Sequence, residues 1–179
     1  MDGMVERGGE LLERVVGTFI DFPKPLVAGV NGPAVGIAVT LLGLCDLVYS
    51  HPSATFHTPF SQLGQSAEAC SSYTFPLAMG PARASEMLLL GTKYSAAEMQ
   101  DRGIVTALLD ADQFQEQLQE KAAKVAALPP GSLRATKQLV RGHHRHTLHA
   151  VNKQEVKALK KRWQSQEFMN AVMSFLEKK

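Results

Sequence analysis

The stretch from Lys24 to Ser72, KPLVAGVNGPAVGIAVTLLGLCDLVYSHPSATFHTPFSQLGQSAEACSS, decides the fold. Its apolar run Leu26–Val30 predicts a short strand that is buried on both faces. A turn rich in Asn, Gly and Pro follows at 31–36, and Ile37–Leu42 predicts a helix. Backbone N–H groups at the start of a helix have no partner within it, so this arrangement suits an oxyanion or a phosphate.

Glu68 follows this turn in a loop of small residues, where its carboxylate can face the same pocket. A donor site with one carboxylate is what proton abstraction beside a carbonyl group requires. Each feature also has an ordinary interpretation. An isolated loop glutamate is usually solvated, and such turns often serve only to reverse the chain.

Length, composition and charge bound the class of protein. The 179 residues fit one domain, and 45% hydrophobic with 20% charged residues is typical of a soluble globular chain. A formal net charge of +2 gives little support to nucleic-acid binding. No apolar run is long enough to cross a membrane, and Met1–Gly9 is polar and Gly-rich, unlike a signal peptide.

Two groups of chemically versatile side chains have alternative interpretations. Cys45 and Cys70 are each compatible with a nucleophile or with a small buried residue, and they suggest no disulfide framework, which fits an intracellular compartment. His143, His146 and His149 are spaced to meet on a helix, which invites a metal site. No Cys or carboxylate joins them, so a solvated basic face, or contact with an anionic ligand, is the alternative.

The rest of the chain predicts strands in its first half and helices at its end. Ser95 and Glu98 predict a capping box at the start of a short helix. For Cys70–Met79 the spacing of apolar residues does not distinguish a helix from a loop. Two or three helices are expected after Ser132. The other predicted helices are Glu10–Phe22, Ala82–Leu90 and Ala111–Ala127, and the other predicted strands are Leu47–Ser50, Ala54–His57 and Ile104–Leu109.

The order of these motifs resembles the crotonase superfamily, the enoyl-CoA hydratases and isomerases. The resemblance covers nearly the whole chain from about Phe19. Its carriers are Lys24-Pro25, Asn31–Gly36, Leu44–Asp46, Ala54–Phe56, Gly64, Ala84–Gly91 and Gly103–Val105. It implies an α/β fold, a crotonase-type ββα spiral that lacks its first strands, with a partial core over 1–131 and a helical trimerisation region over 132–179.

Within this superfamily the chain looks most like the peroxisomal-type Δ3,Δ2-enoyl-CoA isomerases. The carriers are Phe56–Ser61, Leu63–Ser66, Cys70–Pro76, Leu148–Asn152 and Arg162-Trp163. The resemblance implies a shift of the double bond of an acyl-CoA thioester from position 3 to position 2. It implies no cofactor beyond the coenzyme A of the substrate. A peroxisomal or mitochondrial location is also implied, although the C-terminus is not a Ser-Lys-Leu peroxisomal address.

The resemblance assigns roles residue by residue. Thr40 and Phe60 stand where hydratases carry their two catalytic glutamates, so water addition is disfavoured. Glu68 matches the single glutamate of the isomerases, and the N–H of Ile37 matches one donor of the oxyanion hole. The residues implied to line the acyl-CoA site are Ala34, Val35, Gly36, Phe60, Leu63 and Gly64.

Two departures leave a second hypothesis open. Met1–Phe22 has no counterpart of the segment that supplies the family's other oxyanion donor, which is compatible with a fragment or splice form of low activity. Ala69 replaces the subgroup's usual Gly, and a positive φ there would strain it. The alternative to the isomerase is therefore a crotonase-fold module, like the chromodomain-Y-like corepressors, that binds acyl-CoA or protein partners without turnover.

Overall fold

The computed structural model describes the backbone of residues 2–177 and the side chains of residues 3–174 and 177. Within that range, helices and short strands alternate up to residue 108, and only helices follow. None of the helices described there is long and apolar enough to cross a membrane. The elements are α1 (Asp2–Asp21), β1 (Val27–Val30), β2 (Ala34–Val35), α2 (Ile37–Thr40), β3 (Leu47–Ser50), β4 (Thr55–His57), α3 (Ser71–Met79), α4 (Pro81–Leu90), β5 (Tyr94–Ser95), α5 (Ala96–Asp101), β6 (Ala107–Leu108), α6 (Phe114–Ala126), α7 (Pro130–Arg141), α8 (Arg145–Trp163) and α9 (Gln166–Glu177), with 3₁₀ turns at Leu41–Leu44, Ser61–Leu63 and Gly142–His144.

The strands form two small sheets. One has the order β1-β3-β6 and is parallel, with Val27 opposite Leu47 and Tyr49 opposite Ala107. The other has the order β2-β4-β5, with β2 parallel and β5 antiparallel to β4. The pairing of β2 with β4 brings the turn that precedes α2 beside the segment that leads to Phe60.

The prediction that β1 is buried on both faces was wrong, because the strand is only partly buried. Val27, Ala28 and Val30 are half-buried and Gly29 is exposed. Both faces have neighbours, since Ala28 and Val30 pack on the main core while Leu118 of α6 lies within 2.2 Å of the position a Cβ would take on Gly29. The exposure arises at the strand edge, because among the described residues β1 pairs only with β3.

Three clusters of buried apolar side chains form the core. The largest lies between the sheets and α3 to α5, around Phe56, Phe75 and Met87. A second cluster joins α1 and α8 to the middle of the chain, and its buried members are Val16, Leu44, Ala69, Cys70 and Leu148. This second cluster places the segment after Glu68 between the two long helices.

Helix α1 begins much earlier than the predicted start at Glu10. The glycines in residues 2–9 hide the apolar period, although this part of α1 packs against α8. A Cβ on Gly8 would lie 3.7 Å from Trp163, and one on Gly9 would lie 2.2 Å from Lys160. The helix therefore continues through Gly-rich sequence because its tertiary contacts override the low helix propensity of glycine.

Most other element predictions are confirmed. The predicted capping box of α5 is present, and residues 71–79 form α3, which resolves the ambiguous stretch as a helix. Three helices follow residue 129, and β6 is shorter than the strand predicted for Ile104–Leu109. The predicted division into two regions at residue 132 stays a prediction.

Asp46, in one of the family motifs, anchors helix α7 to the sheet. Its Oδ2 accepts hydrogen bonds from the backbone N–H of Leu26 and from Nζ of Lys137, both at 2.7 Å. Its Oδ1 lies 2.8 Å from Nε of Arg141. The carboxylate thus ties the start of the strand that precedes the turn at 31–36 to a C-terminal helix.

Candidate active site

Glu68 lies in the loop between the 3₁₀ turn at Ser61–Leu63 and helix α3, and it is half-buried. The N–H and the hydroxyl of Ser71 donate to its backbone carbonyl, at 3.1 and 2.7 Å. Burial raises the pKa of the Glu68 carboxyl from 4.5 to about 7, and the nearby Glu155 carboxylate adds to the rise. A carboxyl group with this pKa can both take and return a proton near neutral pH, which suits a general acid–base.

The turn that follows Glu68 is left-handed at two successive non-glycine residues. Ala69 has φ 53° and Cys70 has φ 62°. The sequence predicts that a positive φ at Ala69 would strain this residue, and the structure shows that positive φ. Such a conformation costs about 1–2 kcal/mol for a residue with a Cβ. The methyl group of Ala69 is buried in the second core cluster, and burying it offsets about 0.8 kcal/mol of that strain.

Glu155 was missed by the sequence analysis. It lies on α8, is only 7% exposed, and directs its carboxylate at the turn after Glu68. Its burial raises its own pKa, while hydrogen bonds from Ser72 and Cys70 act in the opposite direction. The sequence does contain a signal that could have found Glu155. Asn152 and Glu155 are polar, yet their spacing places them on the same face of α8 as its buried apolar residues, which are Leu148, Val156 and Leu159.

The predicted oxyanion donor lies at the start of α2. Gly36 has φ 60° and ψ −124°, its N–H donates to His57 at 2.8 Å, and its carbonyl accepts from Val39 and Thr40. The positive φ thus falls on Gly36, and Ile37 begins the helix. The N–H of a first helical residue has no acceptor within its own helix, so it is available to a ligand.

The other predicted site residues fall into two groups. Val35 and Ile37 are 52% and 36% exposed, and Leu63 is half-buried. Ala34, Phe60 and Gly64 are buried. Gly64 packs under α9, since a Cβ there would lie 2.9 Å from the Cα of Phe168, and its carbonyl accepts from Nε of Arg162 at 2.9 Å. Their contacts with acyl-CoA stay predictions.

The second core cluster connects the two halves of the candidate site. Leu44, which ends the 3₁₀ turn after α2, packs in it with Ala69 and Cys70. The helix that carries Ile37 and the loop that carries Glu68 therefore share one packed support. A groove of about 740 Å³ lies elsewhere, between α1 and α8, and is lined by Arg14, Asp21 and His149 among others.

The cysteine and histidine hypotheses can now be compared with the structure. Both cysteines are free thiols, and burial raises the pKa of Cys70 to about 12, which leaves it unreactive as a nucleophile. Of the three histidines in the metal hypothesis, His149 bonds to Asp21 at 2.8 Å, and the neighbouring His144 bonds to the hydroxyl of Tyr73 at the same distance. Among the side chains that the structure describes, no three of His, Cys, Asp or Glu lie together in a way that could hold a metal ion.

Comparison with known proteins identifies the family. A sequence profile described as Enoyl-CoA hydratase/isomerase matches residues 9–179. Enoyl-CoA delta isomerase 2 of Rattus norvegicus is 53% identical over 179 residues, which cover 100% of this chain and 46% of the relative. Enoyl-CoA delta isomerase 3, peroxisomal, of Mus musculus is 46% identical over 176 residues, or 98% of this chain and 56% of the relative.

A solved structure agrees with these relatives. The crystal structure of an enoyl-CoA hydratase/isomerase from Pseudoalteromonas atlantica matches with a TM-score of 0.89 and 36% identity, over 93% of this chain and 67% of that one. The chain belongs to the enoyl-CoA hydratase/isomerase family, and the predicted crotonase-type α/β fold is confirmed. It spans about half the length of the two relatives named above.

Proposed function

We propose that the chain isomerises 3-enoyl-CoA to 2-enoyl-CoA by a 1,3-proton shift in which Glu68 is the single acid–base. The observation that carries the proposal is the half-buried Glu68, whose burial raises its pKa to about 7. The names of the rat and mouse relatives, both enoyl-CoA delta isomerases, support the reaction class. The second name also supports a peroxisomal location over a mitochondrial one.

The reaction would proceed in two proton transfers. The Glu68 carboxylate takes a proton from C2, and the electron pair moves into the thioester to give a dienolate. The N–H of Ile37 donates a hydrogen bond to the oxygen that becomes negative, which stabilises it where the charge develops. The protonated Glu68 then delivers the proton to C4, and the double bond is left between C2 and C3.

Hydration is disfavoured because the positions of the hydratase carboxylates hold other side chains. Thr40 is fully buried, and Phe60 is 2% exposed. Neither can activate a water molecule and protonate carbon as an acid–base pair would. Product analysis tests this proposal: incubation with 3-enoyl-CoA should give 2-enoyl-CoA and no 3-hydroxyacyl-CoA. Tight acyl-CoA binding without turnover would instead support the non-catalytic module.

The rate should depend on pH with the sign expected of a base. Since only ionised Glu68 can accept the C2 proton, kcat/KM should be constant above a midpoint near 7 and should fall about tenfold per pH unit below it. Initial rates across pH 5 to 9 at constant ionic strength provide the check. A midpoint at 4.5, the ordinary value for this group, would show that the loop is solvated during catalysis.

We further propose that the chain forms homotrimers through its C-terminal helices. Met169 and Met173 of α9 are 40% and 56% exposed, which leaves apolar area on its outer face. The sequence points to Phe168, Val172 and Phe175 as apolar residues for this contact. Phe168 and Val172 are half-buried, and the side chain of Phe175 lies outside the described residues. Light scattering at high protein concentration should give the mass of three chains, and a mass that stays at one chain would contradict the proposal.

A further inference from the structure

Glu155 is a buried carboxylate that the proposed reaction does not use. Its Oε2 accepts from the N–H of Cys70 at 2.6 Å, and its Oε1 accepts from the N–H and the hydroxyl of Ser72, at 3.0 and 2.5 Å. Burying a carboxylate costs several kcal/mol unless hydrogen bonds satisfy it. These bonds, one to Oε2 and two to Oε1, all come from one turn, which begins directly after Glu68.

This turn lacks the local support that helix starts usually have. Cys70 is the N-cap residue of α3, and its side chain caps none of the free N–H groups. A carboxylate near a helix N-terminus satisfies such donors and interacts favourably with the helix dipole. Glu155 fills this role from a different helix. The turn that it binds is strained, because Ala69 and Cys70 adopt a costly left-handed conformation.

The same turn fixes the backbone of Glu68. Ser71 lies between the two residues that Glu155 binds, and its N–H and hydroxyl both donate to the Glu68 carbonyl. A shift of the turn would therefore move the Glu68 main chain and the direction of its side chain. We infer that Glu155 is a positioning residue, which holds the turn at 69–72 and so aims the Glu68 carboxylate; this inference rests on the proposed function.

Glu155 also acts on Glu68 through its charge. Among the described residues, Glu155 is the one charged side chain that contributes to the raised pKa of Glu68, after burial. Cys70, a titratable residue in the same loop, donates its thiol to the Leu148 carbonyl at 3.3 Å. Ser71 and Ser72 of α3 are not ionised. Burial is the larger cause and remains in a variant, so removing the negative charge of Glu155 should lower the pKa of Glu68 below about 7 without returning it to 4.5.

The Glu155→Gln variant tests the inference in the full chain. Gln keeps the size of Glu155 and one acceptor oxygen. Its NH2 group would face a backbone N–H that now donates to the carboxylate, and the negative charge of Glu155 is lost. We expect kcat for 3-enoyl-CoA to fall by about 10- to 100-fold with KM within about twofold, because small misplacements of a catalytic group cost rates of this order. The midpoint of the pH–rate profile should also move to lower pH.

Two comparison variants sharpen the result. Glu120→Gln makes the same change at an exposed position of α6 and should match the wild type in all of these measurements. Ser72→Ala removes one donor to Glu155 and leaves the charge, so kcat should fall by about two- to tenfold without a lowered midpoint. A role of Glu155 in stability alone would lower the unfolding midpoint and leave both kcat and the pH profile of the folded variant unchanged.

A readout without turnover separates this inference from the proposed function. Amide hydrogen exchange at Cys70 and Ser72 should speed up in Glu155→Gln, and the Glu68 carboxyl carbon should titrate at lower pH by NMR. If the wild type shows no turnover, the proposed function fails, while these two signals still decide the role of Glu155. Unchanged exchange and an unchanged Glu68 titration in the folded variant would overturn the inference. If Glu155→Gln does not fold, the Ser72→Ala variant decides instead. Unchanged kcat together with unchanged amide exchange at Cys70 in that variant would overturn the inference.

Discussion

Replacing Glu68 with Gln should lower kcat for 3-enoyl-CoA isomerisation by about 10²–10⁴, because the only group proposed to move the proton is lost. Gln has almost the same size and keeps a carbonyl oxygen. Binding of the acyl-CoA should therefore change little, and KM should stay within about twofold where it reports binding. Steady-state rates at pH 8, where most wild-type Glu68 is ionised, give the largest contrast.

Glu120→Gln on the exposed face of α6 is the matched control and should keep the wild-type rate. If the chain turns over too slowly to measure, the same two substitutions should be made in a chimera that adds the part of the rat relative that this chain does not match. Near-wild-type kcat in Glu68→Gln would place the base elsewhere. A loss of acyl-CoA affinity with little change in kcat would make Glu68 a binding residue.

Replacing Ile37 with Pro should lower kcat by about 10²–10³, the usual cost of one lost oxyanion donor. Proline has no N–H, so it removes the proposed donor. It is nevertheless well tolerated at a first helical position, where the N–H makes no intrahelical bond. Gly36 before it has φ 60° and ψ −124°, outside the helical region that clashes with a following proline, and it has no Cβ to meet the ring.

Ile37→Ala is the control for the lost side chain, because it keeps the backbone donor. It should retain kcat within a few fold, with circular dichroism and thermal unfolding showing that both variants fold. The measurement is the ratio of the two kcat values in parallel assays. Equal rates in Ile37→Pro and Ile37→Ala would mean that this N–H does not bind the thioester oxygen.

Local sequence signals predicted the elements that depend on neighbours along the chain. The strand at Leu47–Ser50 and the capping box of Ser95 with Glu98 form as predicted, because an apolar run and a capping pattern are each complete within a few residues. The family motifs then assigned the role of Glu68, which composition and periodicity alone would have left as a solvated loop residue.

Features that depend on distant contacts were missed. The early start of α1 is explained by its packing on Trp163 and Lys160, far along the chain. Glu155 looked like one more charged residue of a C-terminal helix, and only the fold brings it within 2.6 Å of the Cys70 N–H. The exposure of β1 likewise depends on which strands pair, a property that the apolar run itself does not contain.

The central claim is that one carboxylate removes the C2 proton and returns it to C4. The most direct test uses 3-enoyl-CoA carrying deuterium at C2, with NMR or mass analysis of the 2-enoyl-CoA formed in ordinary water during the first turnovers. Transfer by Glu68 predicts that part of the product carries deuterium at C4. Product that carries only solvent hydrogen at C4 from the first turnover onward would contradict direct return of the C2 proton by Glu68, since the C4 proton would then come from solvent or from another group.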